Sequence, residues 1–131
     1  MQRNRLAASA RSGAAILRSP RCPAASVTRD ADSCQGNLIL RLAGEFDVDT
    51  VGPVRRALEK AAGDGGVRRT VVDVSGVTFA DTSLLNVLLD ARKDHRLVLA
   101  GPVQREVGIL LALTGTSGLF TFASSVAAAC T

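Results

Sequence analysis

The stretch Val72-Asp73-Val74-Ser75-Gly76-Val77-Thr78-Phe79-Ala80-Asp81-Thr82-Ser83-Leu84-Leu85-Asn86 decides how the chain is read. It opens within a β-branched run, residues 70–74, of the kind that builds a central strand. Ser75-Gly76 reads as a turn. Asp81, Thr82 or Ser83 can then cap a helix running to about Lys93, with Leu84 or Leu85, Leu88 and Ala91 on its core side. One residue suffices for the cap, which leaves a hydroxyl over at a helix start. A phosphate on that hydroxyl would meet unpaired N–H groups and the favourable end of the helix dipole. It would also bring about −1.5 to −2 charge, enough to dock or repel a partner without refolding the domain.

Upstream, residues 37–43 alternate, with Leu38, Leu40 and Leu42 on one face and Ile39, Arg41 and Ala43 on the other. That is a strand with one well-buried side, ended by Gly44. Asp49 or Thr50 can cap a helix in which Pro53 is tolerated in the first turn. Val51, Val54, Leu58, Ala61 and Ala62 form its core stripe, and Gly63-Asp64-Gly65-Gly66 stops it. Downstream, residues 96–100 read as a third strand, and Pro102 opens a third helix that ends at Gly115. Residues 120–122 form a last short strand before an Ala-rich helix, and residues 25–29 supply an edge strand. Strands and helices in this alternation predict an α/β fold: a mainly parallel sheet of four to five strands covered by about four helices.

The length of 131 residues suits one domain, placed at 25–131 behind an Arg-, Ala- and Ser-rich extension over 1–24 that is expected to be disordered. The net charge of +4 misleads, because all six basic residues before Asp30 are arginines and no acid precedes it. From Asp30 onward there are ten basic and twelve acidic residues, so the folded part is mildly acidic. With its basicity in a tail and no Trp or Tyr, the chain does not have the pattern of a nucleic-acid binder. No apolar run approaches the ~18–20 residues of a membrane span, so a soluble cytoplasmic protein is expected. Cys22, Cys34 and Cys130 are odd in number, form no CxxC pair and are read as reduced thiols.

Enzyme readings fail on their motifs. There is no G-x-S-x-G elbow, and His95, the one histidine, sits between Asp94 and Arg96 where a solvated turn is expected. No phosphate-cradling loop follows a strand, which counts against a nucleotide-binding enzyme. Glu45, Asp47 and Asp49 read as a solvated loop rather than a metal or acid–base set. No catalytic residue, metal or cofactor is therefore expected.

Three separated pieces resemble the STAS domains of bacterial anti-sigma factor antagonists. Leu42-Ala43-Gly44-Glu45-Phe46-Asp47 is similar to the family's L-x-G-E-L-D, 72–86 resembles its D-L-S-x-V-x-F-x-D-S-S-G-L, and Leu113-Thr114-Gly115 with Leu119-Phe120 resembles its C-terminal L-T-G…L-F. The resemblance implies partner switching: the unphosphorylated protein binds an anti-sigma factor that is also a serine/threonine kinase, phosphorylation breaks the complex, and a serine/threonine phosphatase restores it. Carried onto this chain, Asp81 matches the motif's acid, Thr82 the phospho-acceptor and Ser83 the second hydroxyl and fallback acceptor. Glu45 and Asp47 match an acidic loop near the site, so Glu45, Asp47, Asp81, Thr82, Ser83, Leu84 and Asn86 are the expected partner-binding residues. Thr82 stands where serine is commoner, and Leu84 and Asn86 where the family often has glycines, so Leu84 is expected to add bulk to the docking surface. The rival reading is a STAS scaffold that binds its partner constitutively, with Thr82 merely a cap. Direct contact with nucleic acid or membrane is expected of neither.

Overall fold

The computed structural model describes residues 25–32, 36–94 and 96–130. The extension over 1–24, Cys22, Cys34 and the turn expected at His95 lie outside them. The elements run β1 (Ser26–Asp32), β2 (Asn37–Phe46), α1 (Gly52–Ala62), β3 (Arg69–Ala80), α2 (Thr82–Asp94), β4 (Leu97–Ala100), α3 (Arg105–Thr114), a single 3-10 turn (Ser117–Leu119), β5 (Thr121–Ala123) and α4 (Val126–Ala129). The five strands lie side by side in chain order. β1 is antiparallel to β2, and every later pairing is parallel. Mixed α/β with a mostly parallel five-stranded sheet and four helices is the architecture expected of the alternation.

One face of the sheet carries the main core. Leu38, Leu40 and Leu42 of β2 and Val72 and Val74 of β3 pack there with Val54, Leu58 and Ala61 of α1, with Leu84, Leu85 and Leu88 of α2, and with Val107 and Leu111 of α3. Each large aliphatic chain so buried contributes about 1.5–3 kcal/mol. The other face is thinner: Ile39, Val71, Val98 and Ala100 meet Ala129 of α4. On the sheet, Arg41 of β2 reaches Asp30 of β1 and Asp73 of β3, each at 3.2 Å. Its guanidinium is too exposed for these pairs to add much stability.

Five expected boundaries are corrected, the last of them at β5. Ser75-Gly76 is not a turn; β3 runs through it to Ala80 and stays paired with β2 to its end. Between the pairs Arg41↔Asp73 and Ala43↔Gly76, β3 carries one more residue than β2, and a second extra residue falls between Gly44↔Val77 and Glu45↔Phe79. These are bulges, which bend a strand without ending it. Asp73 Oδ1 accepts from the Ser75 amide (3.0 Å) and hydroxyl (2.7 Å) at the first of them. A Cβ on Gly76 would lie 2.9 Å from the Leu42 carbonyl oxygen, so the close strand approach requires glycine here. Gly44 likewise does not end β2; it holds φ at 99° and lets the strand continue to Phe46.

Two further corrections concern helix starts. Neither Asp49 nor Thr50 caps α1: Val51 is its N-cap, with no side-chain hydrogen bond, because Asp47 and Thr50 are engaged with each other in the turn before it. Of the expected stripe on α1, Ala62 is exposed. α3 begins at Arg105 rather than Pro102, behind an extended Gln104 whose Nε2 donates to the Ser75 carbonyl at 2.8 Å. The last strand is Thr121–Ala123, one residue later than read. α3 ends as expected at Gly115, in the left-handed conformation with φ 69°.

Candidate functional site

The site lies where β2 and β3 run out together. Phe46 and Ala80 are the last paired residues of the two strands, and the Asp81 amide donates to the Phe46 carbonyl at 3.2 Å. That bond ties the loop after β2 to the start of α2, so two stretches more than thirty residues apart in the chain share one edge. Phe46, fully buried, anchors the arrangement from beneath.

Asp81 is the cap of α2. Its Oδ1 accepts from the Ser83 amide at 2.7 Å, and its carbonyl accepts from the Leu85 amide at 3.4 Å. A single residue thus serves the first turn, and the two hydroxyls are released from capping. Thr82 is exposed, and no described residue hydrogen-bonds its hydroxyl; Ser83 is half-buried. Asn86 is exposed one turn along the helix. Asp81→Ala removes the cap and is expected to cost about 0.5–2 kcal/mol of stability, read as a lower urea midpoint. Asp81→Asn, which keeps the accepting oxygen, should recover most of it.

The acidic loop divides by task. Asp47, half-buried, spends its Oδ1 on the Asp49 amide (2.9 Å), the Thr50 amide (3.1 Å) and the Thr50 hydroxyl (3.2 Å), so it shapes the turn. Glu45 is exposed, opposite Phe79 in the β2–β3 ladder. Among the described residues no three metal-ligating side chains converge, at this loop or elsewhere. Neither Glu45, Asp47, Asp49 nor Asp81 forms an ion pair with a described residue.

Leu84 does not sit on the docking surface. Its side chain is 2% exposed and turned into the core, so the bulk it adds over a glycine is absorbed by packing beneath α2. Both leucines of the pair, Leu84 and Leu85, are core residues. Two apolar residues of the edge escaped the sequence reading: Val48, 73% exposed, and Phe79, 44% exposed. Val48 lies between two aspartates, which reads as a solvated loop. Phe79 follows the bulges that break strand alternation, so period-two counting assigns it no face.

An exposed hydroxyl next to the capping Asp81, at the end of the sheet where β2 and β3 run out, is suited to carrying a charge change. The family model described as "Mlab, STAS domain" matches residues 31–121. The chain belongs to the STAS domain family. Three solved structures share its fold. The anti-sigma factor antagonist SpoIIAA in its unphosphorylated form superposes with a TM-score of 0.64 at 18% identity, covering 76% of this chain and 89% of that one. An anti-sigma factor antagonist from Mycobacterium paratuberculosis gives 0.66 at 19% identity, with 78% and 89% covered. The Bacillus cell fate determinant SpoIIAA in the phosphorylated form gives 0.59 at 18% identity, with 76% and 92% covered. The STAS resemblance read from three motifs therefore holds, and this STAS domain has the fold of anti-sigma factor antagonists. No helix among its described residues is long and apolar enough to cross a membrane.

Proposed function

We propose that this STAS domain is an anti-sigma factor antagonist-like regulator that acts by binding a kinase-type anti-sigma factor and is released when that kinase phosphorylates Thr82. The observation that carries the reading is the division of labour at the start of α2. Asp81 supplies the whole cap, while the Thr82 hydroxyl is exposed and engaged by no described residue. A kinase can reach it without unwinding the helix. The β-branch of Thr82 limits χ1, so the hydroxyl samples few directions. The face offered to the partner comprises Thr82, Ser83 and Asn86 from α2 with Glu45 and the Asp47 turn beside them; Leu84 contributes only through the core.

Phosphorylation adds about −1.5 to −2 charge. Here that charge lands next to Asp81, at the sheet end that also carries the exposed Glu45, with no described cation paired to either. The local field turns strongly negative while the cap and the fold remain in place, which favours loss of a partner fitted to the neutral hydroxyl. A serine/threonine phosphatase completes the cycle, in the cytoplasm where the sigma factor works.

The test is phosphosite mapping. Purified wild type, Thr82→Ala and Ser83→Ala are incubated with host lysate and ATP and analysed by mass spectrometry. One phosphate on residue 82, lost in Thr82→Ala and kept in Ser83→Ala, is the expected result. A modification that follows Ser83 moves the acceptor by one residue, and no modification at either position removes the switch and leaves a constitutive binding module.

A further inference from the structure

Residues 107–131 contain no Asp, Glu, Lys, Arg or His, and no other charge-free run in the chain is half as long. This run builds most of α3, the 3-10 turn, β5 and α4. β5 is the last strand of the sheet and pairs only with β4, so the run forms one edge of the domain. Four of the six exposed large apolar side chains among the described residues lie on it. Leu113 is 82% exposed, and Ile109, Leu119 and Phe122 are 41–44% exposed.

Hydrogen bonds and packing join these four into one surface. Ile109 and Leu113 are a helical turn apart on α3, whose buried side carries Val107 and Leu111. The Thr116 amide donates to the Leu111 carbonyl at 3.1 Å and the Leu119 amide to the Thr116 carbonyl at 2.9 Å. The turn bearing Leu119 is thereby folded back onto the end of α3. Phe122 lines the same crevice as Leu110 and Leu111. A helix that is apolar on its outer side as well as its inner one belongs under a cover. An interface of standard size buries about 800 Å² on each partner, a little over half of it apolar. Four side chains so exposed supply the apolar centre of one.

The charges select the cover. With none along the run, a charged partner finds nothing to pair with, and a lipid surface meets only Arg105 where a basic flank is needed. A second copy meets no such obstacle. Arg105 and Glu106, the only charged residues of α3, both stand in its first turn. Parallel helices would set each of them against its own like, which is costly. Antiparallel helices set them against the neutral end of the other α3, as a two-fold axis allows.

We infer that this edge is a self-association surface on which two copies pair through antiparallel α3 helices, Ile109 of each against Leu113 of the other. β5 lies two strands away from β3, whose end carries the Thr82 site, so the pair presents two such sites. That consequence rests on the function proposed above, whereas the pairing needs neither kinase nor phosphate.

The experiment is analytical ultracentrifugation of the full chain with its thiols kept reduced. Wild type is expected to form dimers in the micromolar range or tighter. Ile109→Glu and Leu113→Lys each weaken the dimer by about tenfold or more. Mixing the two variants in equal amounts restores it, because the new charges meet at one contact while the other keeps leucine against isoleucine. Both positions are exposed, so each variant keeps the circular dichroism spectrum of a folded chain. A wild type that stays monomeric at about 1 mM overturns the inference. So does a dimer that ignores either substitution, or a mixture that remains monomeric.

Discussion

Phe46→Ala lowers the unfolding free energy by about 3–5 kcal/mol, the range for deleting a large aromatic side chain from a packed core. Phe46 is fully buried at the last rung of β2, where the main core closes beneath the site. Its removal opens a cavity under both the Asp47 turn and the cap of α2, whose Asp81 amide is held by the Phe46 carbonyl. The backbone bond survives the substitution only as well as the strand end does, so the loss concentrates at the functional edge. Urea unfolding measures it: the midpoint falls while the slope keeps the value of a full two-state transition. A loss below about 1 kcal/mol would contradict the packing described for Phe46.

Leu84→Ala is expected to cost about 2–5 kcal/mol, and Asn86→Ala to stay within about 0.5 kcal/mol of wild type. The two residues sit two positions apart on α2. Their environments are opposite: Leu84 packs against the sheet with Leu85 and Leu88, whereas Asn86 points to solvent. Thermal unfolding of the two variants separates the cases cleanly, since a loss of a few kcal/mol moves the midpoint by ten degrees or more in a domain of this size. Equal melting temperatures for the two would mean that Leu84 faces outward after all. In that case it would belong to the partner surface.

Much of the fold is legible because its signals are local. The alternation of 37–43, the 3–4 spacing of Val54, Leu58 and Ala61, and the glycine at 115 each report a backbone period or a left-handed cap directly. The strand ends were not legible, for a physical reason. Ser75-Gly76 has the composition of a turn, and only the partner strand, with two fewer residues over the same span, turns it into a bulge. Gly44 misleads in the same way, since a positive φ serves a bulged strand as well as a strand end.

The site divides along similar lines. Asp81 and Thr82 are readable from the order acid–hydroxyl–hydroxyl ahead of an apolar helix. Which of three candidates caps, and hence which hydroxyl is left exposed, depends on a 2.7 Å contact that composition cannot supply. The orientation of Leu84 is settled by the rotation of α2 on the sheet. The pairing of Phe79 with Glu45 follows from the second bulge, which no periodicity count anticipates.

If the charge state of residue 82 decides whether the partner stays bound, a comparative pull-down reads it out. Wild type, Thr82→Ala and Thr82→Glu are used as baits on host lysate, and the captured proteins are identified by mass spectrometry. A kinase-type anti-sigma factor is expected to be held by wild type and by Thr82→Ala, with its recovery falling at least tenfold with Thr82→Glu. Three baits that retain the same protein equally would contradict the account and leave a constitutive binding module in its place.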